Sequence, residues 1–351
     1  MRSIRIGGRT VVATDVLASY WFVAAERQRM YYQRLRVEPA PWTLDPVLST
    51  YRFTNAYRAA DRVSQDLIRV QYEGSQAPDD VLLRTLVYRF FNKPATWAAV
   101  EQTVGPLNTE TFHVPRIDRA LEGLLARGQR IYSPAYIIPP PPFGAHRKHL
   151  NHLRLAQHMI TSGAANAIGE ASSLQEVFEV VSSYPSLGPF LAFQLTIDLN
   201  YSTLVNFHEN EFVVAGPGSR SGIAKCFVDT DGLAPEDIIR WAVDHQQQEI
   251  ERYGLEFADL FGRPLALIDC QNLFCETDKY ARVAHPNVTG IGQRTRIKQR
   301  FTPQADVPAP FFPPKWGLNE TAASAVSGPA AIAGRGIWRE PESFPLFAHA
   351  Q

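Results

Sequence analysis

The sequence predicts a mainly α-helical protein built as one large unit. Three observations predict it. Apolar residues recur at helical spacing through most windows between residues 14 and 282. Strand-like alternation is scarce beyond the first dozen residues. The chain has 351 residues, 45% of them hydrophobic, enough to bury a sizeable core.

The elements follow in order. "SIRIGGRTVV" reads as a hairpin turning at Gly7-Gly8. Residues 14–34 read as a helix carrying Tyr20, Phe22, Ala25, Met30 and Tyr31 on its apolar side. After the Pro-rich "EPAPWTLDP", residues 47–72 read as one long helix, and 78–92, 94–103 and 116–128 as three more. The four prolines of "IIPPPPFGAHRKH" exclude helix and central strand, so 139–145 reads as a linker. Further helices are expected near 151–163, 173–183, 187–201, 219–227, 235–253 and 268–282. Residues 318–351, poor in periodicity and rich in Ala, Gly and Pro, read as a flexible tail. The expected organisation is therefore a hairpin over 1–14, one helical unit over 15–317 with layers of about 15–138 and 146–301, and that tail.

Lys+Arg and Asp+Glu are equal at 35 each, which excludes a histone-like polycation but not a basic face on a neutral protein. Cys226, Cys270 and Cys275 lack metal-site spacing and read as reduced core thiols. The nine histidines form no zinc-enzyme pattern, so neither metal nor cofactor is expected. No secretory apolar run opens the chain and no window suits a membrane span, so an intracellular location is expected.

Four stretches carry chemistry. In "WTLDPVLSTYRFTNAYRAADR", Arg52, Asn55 and Arg58 would share a helical face, with Asp61 and Arg62 extending it. Arginine grips phosphate bidentately, and Trp42, Phe53 and Tyr57 put aromatics around the polar groups. The alternative is a solvated, salt-bridged face. In "YPSLGPFLAFQLTIDLNYS", a Pro-x-Leu-Gly turn between two helices has the form of a helix-hairpin-helix, whose backbone N–H groups near Gly188 would hold a DNA phosphate. An ordinary helical corner is the alternative. In "ENEFVVAGPGSRSGIAKCF", Gly216 and Gly218 with Arg220 and Lys225 form an anion nest or a flexible turn, but not a G-x-x-x-x-G-K-[ST] loop. In "LIDCQNLFCETDKYARV", Asp269, Asn272, Glu276 and Lys279 form one stripe, either a surface network or a pocket wall. The run "RTRIKQR" adds Arg296 and Lys298.

These blocks, from about residue 15 to 318 and with "RIKQRF" after them, resemble the alpha-glutamyl/putrescinyl thymine pyrophosphorylase family of amino acid:DNA transferases. Related helical domains accompany 5-hydroxymethyluracil DNA kinases. The resemblance implies a fold like the helix-hairpin-helix DNA glycosylases, two packed helical layers with a cleft. Pro185-Ser186-Leu187-Gly188 stands where those enzymes carry Pro-Gly-x-Gly, with Ser186 at the first glycine. The glycosylase acid would follow the strand-like "FVV", where this chain has Ala215-Gly216-Pro217-Gly218, so base excision is not expected.

The implied chemistry replaces a phosphate or pyrophosphate on the 5-methylene of a modified uracil in DNA by an amine or amino acid. Phosphate and DNA contacts then fall to Arg52, Arg58, Gly188, Gly216, Gly218, Arg220, Lys225, Arg296 and Lys298. The base pocket falls to Trp42, Phe53, Asn55, Tyr57, Asn200 and Tyr201, and catalysis to Asp198, Glu276 and Lys279. Expected partners are DNA, the amine and a DNA-base kinase. A glycosylase with a relocated acid and a non-catalytic DNA-binding or kinase-partner module are the alternatives.

Overall fold

The computed structural model describes residues 2–230, 232–292, 294–303 and 308–327. Strands β1 (Arg2–Ile6) and β2 (Arg9–Ala13) form the expected hairpin. Helices α1 (Val16–Leu35), α2 (Pro46–Thr50), α3 (Arg62–Tyr72), α4 (Pro78–Phe91), α5 (Pro94–Val104) and α6 (Val114–Ala126) follow. Then come α7 (Lys148–Thr161), α8 (Ala164–Gly169), α9 (Leu174–Ser182), α10 (Pro189–Tyr201) and α11 (Pro217–Cys226). Strand β3 (Phe227–Asp229) joins the hairpin antiparallel to β2, in the order β1-β2-β3. Helices α12 (Pro235–Arg252), α13 (Leu267–Ala284) and α14 (Asn319–Ser327) are the last among the described residues. The fold is mainly α. Among the described residues no helix is long and apolar enough to cross a membrane.

Two large apolar clusters organise the helices. One gathers α1 and α11–α13 with the sheet, Phe312 and Ala322; the other gathers α4–α8, and α3, α9 and α10 contribute to both. The division therefore does not follow the chain halves: α1 packs with the C-terminal helices, and α7–α9 pack with α3–α6. The proline stretch is docked rather than free, because Ile138 is buried and the Pro139 carbonyl lies 3.2 Å from His152 Nε2.

The long helix expected over 47–72 is broken. Asp45 caps α2 through Val47 N and Leu48 N, at 3.0 and 2.7 Å. The chain then runs extended, and Tyr51 bridges to Arg300. The carbonyls of Phe53 and Thr54 accept from the Arg27 guanidinium, so tertiary donors replace the helical amides. A short 3₁₀ turn over Arg58–Ala60 leads into α3. The segment expected as tail also differs at its start, since α14 forms and buries Ala322; residues 328–351 lie outside the described residues. "FVV" at 212–214 is not a strand.

Residues 183–188 turn the chain from α9 into α10. Ser186 takes φ +66°, the left-handed region that favours the glycine expected there. Gly188 is the exposed N-cap of α10, with open space where a side chain would stand.

Candidate functional site

Two helical faces of the same spacing line one cleft. Arg27, Met30, Tyr31 and Arg34 of α1 stand at i, i+3, i+4 and i+7, as do Arg62, Gln65, Asp66 and Arg69 of α3. The cleft holds about 110 Å³, with Asn55 and Ala60 between the helices and Pro308 and Pro310 as a further wall. Four arginines there outnumber Asp66 and the adjoining Asp61, so the space favours an anion.

Arg27 anchors the loop before α3. Its Nε donates to Thr54 O at 2.9 Å and its Nη2 to Asn55 Oδ1 at 2.9 Å. Burial lowers its pKa, against the attraction of Asp61 and Glu276. Asn55 also donates through Nδ2 to Ala60 O at 2.7 Å, so its amide braces this loop.

Asp61 holds the N-cap position of α3 but makes no side-chain cap. Its Oδ1 instead accepts from Asn55 N at 2.8 Å. Burial raises its pKa to about 6 and Glu276 adds to the rise, while the Asn55 amide, Arg27 and Arg58 oppose it. A carboxyl poised near neutrality beside an arginine-lined space is the arrangement general acid–base chemistry needs.

An exposed basic surface leads toward the cleft. Arg52 N donates to Gln299 O at 3.1 Å and Phe301 N to Thr50 O at 3.0 Å. This pairing sets Arg52 beside the run containing Arg296, Lys298 and Arg300, all exposed. Phe301 meets Trp42 edge-on, and the Arg34 guanidinium lies 5.1 Å from the Trp42 ring centre. Among the residues expected in the site, Arg52, Asn55, Trp42, Arg296 and Lys298 thus fall along one path.

The others go elsewhere. Arg58 is 1% exposed and turns inward to Asp198 at 2.7 Å, so it does not face an outside phosphate. Asp198, at 0% exposed, is also gripped by Arg89, Nη2 to Oδ1 at 2.7 Å and Nε to Oδ2 at 2.6 Å. Tyr201 is buried beneath Arg58 and edge-on to Trp316. Asn200 braces the Phe207 backbone through both amide atoms, at 2.9 and 2.8 Å. Tyr57 is buried and donates to Arg263 O at 2.8 Å. Phe53 packs under the Lys279 ammonium, 4.4 Å from the ring centre. Lys279 pairs with Glu276 at 2.6 Å, and Glu276 also accepts from Thr54 N at 2.9 Å, which places the pair behind the cleft loop.

The glycines near α11 serve close packing. A Cβ on Gly216 would stand 2.5 Å from Phe190, one on Gly218 2.3 Å from Cys275 Sγ, and one on Gly222 1.9 Å from Phe274 O. Arg220 is exposed and reaches Glu236 at 3.3 Å, while Lys225 is buried against Asp278 at 3.1 Å. These residues build the α11–α13 seam rather than an open nest.

Sequence reasoning missed Arg27, Arg34, Gln65, Asp66, Arg69 and Arg89, and did not place Asp61 among the site residues. For the cleft residues the available signal was a pair of arginines at i, i+7 on each of two helices, Arg27 and Arg34 and then Arg62 and Arg69.

Residues 14–290 match the family described as the helical domain of 5-hmdU DNA kinase. The chain belongs to this family. The 5-hmdU DNA kinase of Bacillus phage SP10 is 30% identical over 284 residues, covering 74% of this chain and 44% of that protein. The chain therefore spans less than half the length of this relative. No solved structure matches. The part matching the 5-hmdU DNA kinase helical domain contains both arginine-bearing faces and Asp61, but not the proline wall.

Proposed function

We propose that this protein acts in thymine hypermodification on a 5-(phosphoryloxymethyl)uracil base in DNA, exchanging the phosphate or pyrophosphate for an amine or amino acid. The observation that carries the reading is the convergence of four arginines on one cleft, with a near-neutral Asp61 at the start of the helix that bears two of them.

The arginines hold the phosphoryl oxygens and stabilise the charge that grows as the group departs. The amine nitrogen attacks the 5-methylene carbon. The new C–N bond forms as the C–O bond breaks, and the electron pair leaves with the phosphate. The Asp61 carboxylate takes the proton from the nitrogen; with a pKa of about 6 it is mostly ionised at neutral pH. The Gly188 hairpin and the surface bearing Arg52, Arg296 and Lys298 hold the DNA backbone without reading sequence. Base excision is not part of the reading, because Gly216 stands where the glycosylase acid would be.

A second reading is a DNA-engaging partner of a base kinase. Its support is that the similar phage protein is named a kinase and this chain spans 44% of it, with no G-x-x-x-x-G-K-[ST] loop in the sequence. Nucleoside mass spectrometry separates the two. DNA carrying the phosphorylated base is incubated with candidate amines. An amine-substituted nucleoside supports transfer, bound but unchanged DNA favours the kinase partner, and failure to bind the DNA overturns both.

A further inference from the structure

Residues 308–316 lie beyond the family match, which ends at residue 290, yet two of them wall the arginine cleft. Pro308 and Pro310 face the space, and neither has a backbone N–H, so they shape the cleft without binding an anion. The segment is fastened within this wall and after it. Arg69 donates to the Ala309 carbonyl and lies 5.9 Å from the Phe311 ring centre. Phe311 N donates to Gln65 Oε1 at 2.6 Å. Phe312 is fully buried and stacks on Trp316, and Lys315 Nζ donates to Ser202 O and Val205 O at 2.7 and 2.5 Å.

We infer that this segment is a specificity strap, narrowing the arginine cleft so that it takes a phosphate or pyrophosphate group and refuses a whole nucleotide. The inference rests on reading the cleft as the phosphoryl site. The cleft's size carries it. About 110 Å³ is well below the roughly 300 Å³ at which pockets begin to enclose drug-sized ligands. The strap also engages Arg69, one of the four cleft arginines, so loosening it both widens the space and releases a cation. The consequence is chemical: the group bound here is the phosphorylated end of a substrate whose base and sugar stay outside the arginine cage. A nucleoside triphosphate presents a chain of three phosphates where the walled space takes one or two, so the strap disfavours it on length although its charge would suit.

The test is isothermal titration of the full chain with inorganic pyrophosphate and with ATP, backed by thermal shift. The wild type is expected to bind pyrophosphate and to bind ATP at least tenfold more weakly. Phe311→Ala is expected to close that gap by raising ATP affinity. Pro310→Gly, which alters the wall but leaves Phe312 in place, is expected to do the same and serves if Phe311→Ala does not fold. Equal affinity of the wild type for both anions, or an unchanged ratio in a folded strap variant, overturns the strap but leaves the phosphoryl site standing. Binding of neither anion by the wild type overturns the site and the strap together.

Discussion

Asp198 is shared by Arg58 and Arg89 in the protein interior: Arg58 approaches one carboxylate oxygen at 2.7 Å, and Arg89 spans both. All three are at most 3% exposed. Two buried guanidiniums thus depend on one carboxylate. Asp198→Asn leaves them uncompensated and is expected to cost about 3–5 kcal/mol of stability, the range for breaking a buried ion pair. Urea denaturation of the variant checks this. An unchanged midpoint would mean that the two arginines find another counter-charge.

If Asp61 is the base of the proposed transfer, activity is expected to depend on pH. Its carboxyl titrates at about 6, above the ordinary aspartate value, and the proposed base is the ionised form. Single-turnover transfer is expected to rise with pH through about 6 and then level. Asp61→Asn should abolish transfer while leaving pyrophosphate bound. Stability follows the opposite sign: the folded state holds this proton more tightly than the unfolded chain, so the Asp61 contribution weakens as pH rises from about 4 through 6. Denaturation of wild type and Asp61→Asn across that window reads it directly.

Two glycines should behave in contrasting ways. An alanine at Gly222 places its Cβ 1.9 Å from Phe274 O, a backbone atom, and the seam must spread. Gly222→Ala is expected to lower Tm strongly. At Gly188 nothing lies within 4 Å of a Cβ and φ is −64°, so Gly188→Leu should leave Tm close to wild type. Its effect is expected in DNA affinity alone, because bulk there keeps a phosphate from the backbone. Thermal melts beside a fluorescence titration with DNA separate the two.

The exposed run should set the salt response. Removing charge at Arg52, Arg296 and Lys298 is expected to flatten the log–log dependence of DNA affinity on salt by up to about 0.9 per lost phosphate contact. The loss should be the same on unrelated DNA sequences. A slope equal to wild type in the triple variant would place the backbone contacts elsewhere.

Much of the helical framework was legible because its caps and periodicity are local. The turn between α9 and α10 could be read from "YPSLGP", and the resemblance to Pro-Gly-x-Gly set Ser186 at a glycine position, where φ is positive. The break before α3 was not, because "RFTNAYRAA" keeps a helix-like pattern while its carbonyls are claimed by Arg27, some 27 residues away. Asp61, standing directly before "RVSQDLIRVQY", was the local start signal. That error misplaced Arg58: on a continuous helix it shares a face with Arg52, whereas the 3₁₀ turn aims it into the core. An acid inside an apolar helix was visible at Asp198, but not its partners, which lie 140 and 109 residues away.

The Gly222 contact has a mechanical consequence. Where α11 meets α13, backbone lies close to backbone, and little side-chain bulk can rotate there to let one helix slide along the other. The seam behaves as a fixed axle. The strap is fastened differently, through rings, an ammonium and a guanidinium, each able to release by a change of rotamer. Strain placed on the cleft is therefore expected to be taken up on the side walled by Pro308 and Pro310, while α11 and α13 stay as the stationary frame.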